Sequence, residues 1–286
     1  MKKFALVLSV FCVSAVNAFA ADLQELPNKK APAPVASAYD WSGFYFGVNA
    51  GYGWGSANQA LTVQPGGTYI VGSTALVSAV GTSGLKPSGG EVGGQFGYNY
   101  KLSPLLLIGV ETDLDWNGLS KRSRVTTPYA LGGYFGTIGA TFTLNQRVSA
   151  DWLWTARARL GVTPVDRVLV YATGGLAVAN IRYTSAFSDS TIPGNTVCCG
   201  TEGITLSSTK AGWTLGAGIE AAVSANWSAK VEYLHTEFSG LSGSGSLTSG
   251  TGQTNVIYHS IGLLKMDTIR IGLNYRFGAS PVVAKY

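Results

Sequence analysis

Near its C-terminus the chain reads Ile269-Arg270-Ile271-Gly272-Leu273-Asn274-Tyr275-Arg276-Phe277. Odd positions are apolar or aromatic, and even positions are polar or glycine. Successive side chains of a strand point to opposite sides, so a period of two predicts a strand with one apolar and one polar face. Six segments upstream share the pattern, and a seventh, Val168 to about Arg182, reads as a strand whose two faces do not differ clearly. The first sets Phe44, Phe46, Val48, Ala50, Tyr52 and Trp54 against Gly43, Tyr45, Gly47, Asn49, Gly51 and Gly53. The second sets Val92, Phe96, Tyr98 and Tyr100 against Glu91, Gln95, Asn99 and Lys101. The others run from Leu106 to Trp116, Trp152 to Val162, Val168 to about Arg182, Trp213 to Val223, and Trp227 to Tyr233.

Eight strands are therefore predicted. A few residues join the second to the third, the fourth to the fifth and the sixth to the seventh. The remaining connections are long, at about 56–88, 120–148, 184–211 and 241–266. Short turns at one end and long loops at the other are the habit of outer-membrane barrels. An even strand number then places both termini at the short-turn, periplasmic end.

Composition narrows the choice between a membrane barrel and a soluble one. The 286 residues include 38 glycines, with 46% hydrophobic and only 12% charged. Glycine is nearly twice as frequent as the usual ~7%. Beyond the first twenty residues no apolar run approaches the ~18 residues of a spanning helix, which excludes a helical bundle. In a soluble barrel the apolar set would point inward and the charges outward. Here the polar set holds many glycines and both signs of charge, while Trp, Tyr and Phe gather near the strand ends of the apolar set. That is the membrane arrangement, and in hydrocarbon only a closed barrel satisfies every backbone group of a sheet. The expected fold is an all-β, antiparallel up-and-down transmembrane barrel of eight strands. Extra apolar segments at Tyr69-Ile70-Val71 and Tyr134 to Leu144 leave ten or twelve strands as the alternative.

The N-terminus carries Lys2 and Lys3, an apolar stretch from Phe4 to Ala15, and Ala18-Phe19-Ala20. This is the layout of a secretory signal cleaved after residue 20. Bulky Phe11 before Cys12 argues against a lipoprotein anchor. Residues 21–40, with Pro27, Pro32 and Pro34, read as an extended periplasmic linker. The barrel domain is expected over 41–286, with an extension after about 278. Loss of Lys2 and Lys3 leaves 18 basic against 15 acidic residues, a net charge of +3. That mild surplus, with no basic run longer than Lys121-Arg122-Ser123-Arg124, gives no reason to expect nucleic acid. Cys198 and Cys199 are adjacent and lack nearby ligands for a zinc site; a vicinal disulfide that stiffens a loop is the expected use.

The predicted register turns twelve charges inward: Lys101, Arg157, Arg159, Lys230, Arg270 and Arg276 with Glu91, Glu111, Asp113, Asp115, Glu220 and Glu232. A barrel of eight strands is just wide enough to be filled by side chains. Isolated charges there are costly, so equal numbers predict ion pairs across the lumen. The expectation is a structural polar core with small conductance at most; a narrow ion pathway gated by rearranged pairs is the alternative. Outward aromatics near strand ends, namely Trp41, Trp54, Trp116, Trp152, Trp154, Trp213, Trp227, Tyr275 and Phe277, are expected in the two interfacial girdles.

Catalytic machinery is not expected, nor a cofactor or metal. The chain has no Gly-x-Ser-x-Gly elbow, no phosphate-binding glycine loop and no His-Glu-x-x-His. Its two histidines are His235 and His259. Adjacent His259 and Ser260 would point opposite ways in a strand. Glu111, Asp113 and Asp115 are explained more simply by inward arginines than by a carboxylate-based hydrolase. A small lipid hydrolase is the minor alternative.

Trp41-Ser42-Gly43-Phe44-Tyr45-Phe46-Gly47-Val48-Asn49-Ala50-Gly51-Tyr52-Gly53 resembles the first-strand motif of the opacity-type outer-membrane surface antigens of alphaproteobacteria. Tyr171-Ala172-Thr173-Gly174-Gly175-Leu176-Ala177, Gly272 to Phe277 and the terminal Pro281 to Tyr286 are similar to further motifs of that family. The resemblance spans most of 41–286. It implies an abundant, porin-like barrel of the outer membrane and no catalytic residues. The departure lies at the C-terminus, where nine residues follow Phe277, so Phe277 and Tyr286 compete as the assembly signal. Expected partners are outer-membrane lipids and lipopolysaccharide and the barrel-assembly machinery; peptidoglycan and host surface molecules are the further candidates, and a surface binding or adhesion role through extracellular loops rich in Gly, Ser and Thr is the stronger alternative function. Sequence leaves the oligomeric state open.

Overall fold

A computed structural model describes residues 39–66, 71–129, 140–190, 200–248, 252 and 254–278. The expected signal and most of the expected linker, Cys198 and Cys199, Tyr69 and Ile70, and residues from 279 onward lie outside them. Eight long strands form the wall: β1 (Gly43–Val63), β3 (Ser88–Lys101), β4 (Leu106–Pro128), β5 (Thr141–Val165), β6 (Val168–Asp189), β7 (Thr201–Ala222), β8 (Trp227–Phe238) and β10 (Thr254–Arg276). Between β1 and β3 come a helix, α1 (Val71–Gly81), and a short strand, β2 (Ser83–Leu85); β9 (Leu241–Thr248) precedes β10. Neighbours pair antiparallel in chain order, and β10 pairs back onto β1 from Tyr45↔Arg276 to Val63↔Ile257, which closes a ring of eight. The short β2 and β9 pair beside β1 and β10 at the long-loop end. Closure leaves the ring itself no free sheet edge.

The turns at 102–105, 166–167 and 223–226 are as tight as periodicity predicts. The four long connections are not loops throughout. β1 continues to Val63, β4 to Pro128 and β6 to Asp189, while β5 starts at Thr141, β7 at Thr201 and β10 at Thr254. The strands thus extend well beyond the apolar band.

Polarity inverts along the barrel. In the short-turn half, large apolar side chains face outward, including Val48, Val110, Leu114, Leu215, Ile219 and Ile271, and polar side chains are buried inside. In the long-loop half the inside is apolar: Leu61, Leu119, Phe142, Leu144, Val148, Ile181, Tyr183, Phe187 and Met266 are all buried. Register shifts accompany the change, at Ala57/Gln59, Trp116/Leu119 and Ala150/Leu153. On β5 the inward residues are odd below the shift (Leu153, Thr155, Arg157, Arg159) and even above it (Ala150, Val148, Gln146, Leu144). An extra residue in one strand re-aims its side chains, which is the work of a β-bulge. The lower half suits a hydrocarbon surround and the upper half suits water.

Candidate functional site

The interior is the candidate site, and it is filled in three layers. At the short-turn mouth, the segment before β1 turns inward. Tyr39 and Trp41 pack edge to face at 4.7 Å between ring centroids, against Leu107, Leu169 and Tyr171. Trp41 donates its indole N–H to the Asp166 carbonyl at 3.1 Å. This corrects the expected place of Trp41: it is 2% exposed and closes the barrel floor instead of joining a girdle. Truncation to alanine should cost about 3–5 kcal/mol, as for other buried aromatics. Thermal unfolding of the refolded W41A barrel checks this; an unchanged midpoint would show that the floor contributes no stability.

Above the floor lies a layer of ion pairs. Arg157 meets Glu111 at 2.5 Å, Asp113 at 2.8 Å and Glu232 at 3.1 Å. Arg270 meets Glu232 at 2.6 Å, Asp113 at 2.7 Å and Asp115 at 3.1 Å. Arg159 reaches Glu220 at 2.8 Å, and Lys230 reaches Glu111 at 3.0 Å. All of these side chains are buried. Charge-assisted bonds of this kind must be complete, because a buried charge that loses its partner is heavily penalised.

Two tyrosines complete the layer. The Tyr45 hydroxyl donates to Glu111 at 2.7 Å and accepts from Arg159 at 2.6 Å. Tyr171 donates to Glu232 at 2.9 Å, and the Arg159 guanidinium lies 3.8 Å from its ring centroid. Asn49, Gln95 and Asn274 form an amide chain that ends on Glu220. Sequence reasoning did not single these residues out, yet Tyr45, Asn49, Gln95 and Asn274 lie on the inward parity of their strands, which was the available signal; Tyr171 lies on a strand whose sequence shows no distinct inner face.

Three expected members stand apart from the pairs. Lys101, at the end of β3, is half-buried and makes no ion pair among the described residues. Arg276 sits at the short-turn mouth, 3.8 Å from Asp40 and over the Tyr39 ring at 5.0 Å. Glu91 is buried, and neither carboxylate oxygen has a hydrogen-bond partner among the described residues. Both cations fall at strand ends, where the lumen opens, so pairing them by parity alone overreached.

The third layer is the apolar upper core. Val77 of α1 packs with Leu61, Val63, Phe142, Leu144, Phe187, Leu247 and Ile257, so residues from around the wall converge on the helix. The Gly81 carbonyl accepts from both Gln59 and Gln146. Within this half His259 pairs with Glu202 at 3.0 Å, both buried. His235 is elsewhere, on the outer face with Asp267 at 2.7 Å and Glu237 at 3.3 Å. Among the described residues no group of three or more His, Cys, Asp or Glu is arranged to hold a metal ion.

The remaining aromatics face outward. Trp54, Trp116, Trp213, Trp227 and Phe277 are exposed; Trp152, Trp154 and Tyr275 are half-buried against neighbours. Trp116 lies directly opposite Trp152 across the β4–β5 ladder.

Comparison with known proteins places the chain in a family. A family described as "Outer membrane protein beta-barrel domain" matches residues 5–277. The "31 kDa outer-membrane immunogenic protein" of Brucella melitensis is 32% identical over 279 residues, covering 96% of this chain and all of the relative. The "25 kDa outer-membrane immunogenic protein" of Brucella abortus is 27% identical over 280 residues, covering 97% and 99%. Among solved structures, the outer membrane protein OprG from Pseudomonas aeruginosa aligns over 82% of this chain and 97% of its own, at 9% identity and a TM-score of 0.38. The relatives are named as immunogenic proteins of the outer membrane, not as enzymes. With its closed ring, outward apolar band and family match over nearly its whole length, the chain belongs to the outer-membrane protein β-barrel domain family and is an outer-membrane barrel of the surface-antigen kind.

Proposed function

We propose that this barrel is a sealed structural element of the outer membrane that displays its long-loop end to the outside and moves no solute through its lumen. The single observation that carries the reading is that, among the described residues, an aromatic floor, a layer of ion pairs and an apolar core fill the interior in succession. A gate by rearranged ion pairs would still leave an apolar layer above it and Trp41 below it. In this reading the short-turn end is periplasmic, and the upper half stands beyond the membrane as a scaffold for the loops. Catalysis has no support: Glu111 and Asp113 are saturated with arginine and lysine contacts, and His259 is enclosed with Glu202.

Planar-bilayer recording tests the proposal. The purified barrel should give no steady openings above about 0.1 nS, whereas water-filled channels belong to much wider barrels of sixteen or more strands. Stable, weakly selective openings of nanosiemens size would overturn it. Protease shaving of intact cells tests the orientation separately, since it should cut within the long connections and spare the turns at 102–105, 166–167 and 223–226.

A further inference from the structure

Outside the lumen, the charge on the upper wall is unevenly spread. The sequence run Lys121-Arg122-Ser123-Arg124 falls on the part of β4 that rises beyond the apolar band. Its register places Arg122 directly opposite Arg147 of β5, and Arg147 directly opposite Thr184 of β6. Their parity points them outward, because the intervening Val148 and Ser185 are buried inside. Arg124 and Arg182 share this outer face. Among the described residues Asp151 is the single acid there, 3.9 Å from Arg182 and half-exposed. Among the described residues Arg122, Arg124 and Arg147 make no ion pair. The neighbouring segments 130–139 and 191–199 contain no Asp or Glu that could supply one.

The opposite wall is arranged differently. There Lys265 meets Glu237 at 3.1 Å and His235 meets Asp267 at 2.7 Å, so its charges are matched. On the β4–β6 wall, four arginines face one aspartate. Like charges directly opposite across a strand pair are destabilising. Two of the four, Arg122 and Arg147, line a groove of about 450 Å³ together with Asn145, Thr184 and Thr205. The site offers planar, fork-shaped donors that suit phosphate and carboxylate, with amide and hydroxyl groups beside them.

We propose that the Arg122–Arg147 groove is a binding site for the anionic headgroup of an outer-leaflet glycolipid, its phosphates or acidic sugars bridging the two guanidiniums. The height of the groove selects a lipid over a soluble ligand. Arg147 stands five residues beyond Trp152 on the same strand, and Arg122 six beyond Trp116. At ~3.3 Å per residue and a tilt of ~40°, both lie about 12–15 Å above the outer aromatic rim, at the level of headgroup sugars and phosphates. This inference rests on the proposed orientation, which places the long-loop end in the outer leaflet.

The test uses the full folded barrel, refolded in detergent. Binding of purified lipopolysaccharide, and separately of the same material after enzymatic dephosphorylation, is followed by its effect on the thermal midpoint. The double variant Arg122→Gln/Arg147→Gln is compared with Lys265→Gln on the matched wall. Both changes lie on an exposed surface, and unboiled gel mobility confirms folding. Phosphorylated lipopolysaccharide should stabilise the wild-type barrel and K265Q alike, more than the dephosphorylated form does. The double variant should bind about 10- to 100-fold more weakly, as befits the loss of two charge-assisted contacts. Equal binding by the double variant would overturn the site. Stabilisation by a soluble sulfated glycan but not by lipopolysaccharide would overturn the lipid assignment. Because binding is measured on purified protein, an inverted orientation would show in the shaving experiment and not here.

Discussion

Replacing Arg157 with leucine is expected to destabilise the folded barrel by about 3–5 kcal/mol, the cost of leaving buried charges without a partner. Arg157 ties Glu111, Asp113 and Glu232 together, at 2.5, 2.8 and 3.1 Å, with every side chain inaccessible to solvent. Glu111 would keep Lys230 and Asp113 would keep Arg270, but each would lose its shortest or second contact. Urea unfolding of the refolded protein in lipid vesicles reads the loss. Combining Arg157→Leu with Asp113→Asn should cost less than the two single changes added, because each removes part of the other's burden. A loss under about 1 kcal/mol, the worth of a solvent-exposed pair, would mean that water screens the lumen. The sealed-lumen reading would then fail with it.

The second large effect is steric. Gly175 lies directly opposite Arg157 across the β5–β6 ladder. A Cβ at this position would run into the Ala156 carbonyl oxygen and lie 2.8 Å from the Arg157 Cα. Those are backbone atoms of the paired strand, so no side chain can swing aside to make room. Gly175→Val should therefore abolish assembly of the heat-modifiable band or lower its stability by more than the ~1–3 kcal/mol typical of overpacking, since displacing Arg157 adds a buried-charge penalty. Gly203 is the control. It faces outward on β7 with nothing within 4 Å of an added Cβ, and Gly203→Val should assemble normally. Equal assembly of both variants would show that the β5–β6 seam yields more readily than its register implies.

Much of the barrel was legible because strand alternation is a property of neighbouring residues. The lower half of seven of the eight strands follows from the odd–even pattern, as does the inward parity of Glu111, Asp113, Arg157, Lys230, Glu232 and Arg270; the segment from Val168 to about Arg182 reads as a strand without a distinct inner face. The upper half was less legible. Segments such as Thr201–Lys210, rich in Thr, Ser and Gly, read as loop, yet they lie in β7. Their inward residues meet an apolar core assembled from distant strands, and that requirement leaves little local trace. On β5 the bulge at Ala150/Leu153 also reverses which parity faces inward, so a pattern read from one side does not carry across it. Trp41 was misplaced for a related reason: a tryptophan just before a strand suits a girdle equally well until the backbone before Gly43 is seen to turn into the barrel.

The glycine-rich, low-charge sequence by itself determined a membrane barrel with an apolar outer band and a charged lining, and left its strand number between eight and twelve. Which charge meets which was decided only by tertiary structure. Arg270 reaches Asp113 and Asp115 because closure of β10 onto β1 brings strands from opposite ends of the chain within a side chain's length. Arg122 meets Arg147 only because the β4–β5 register aligns them. Alternation assigns each residue a face through its backbone geometry, whereas partners depend on strand order, stagger and bulges that act over a hundred residues or more.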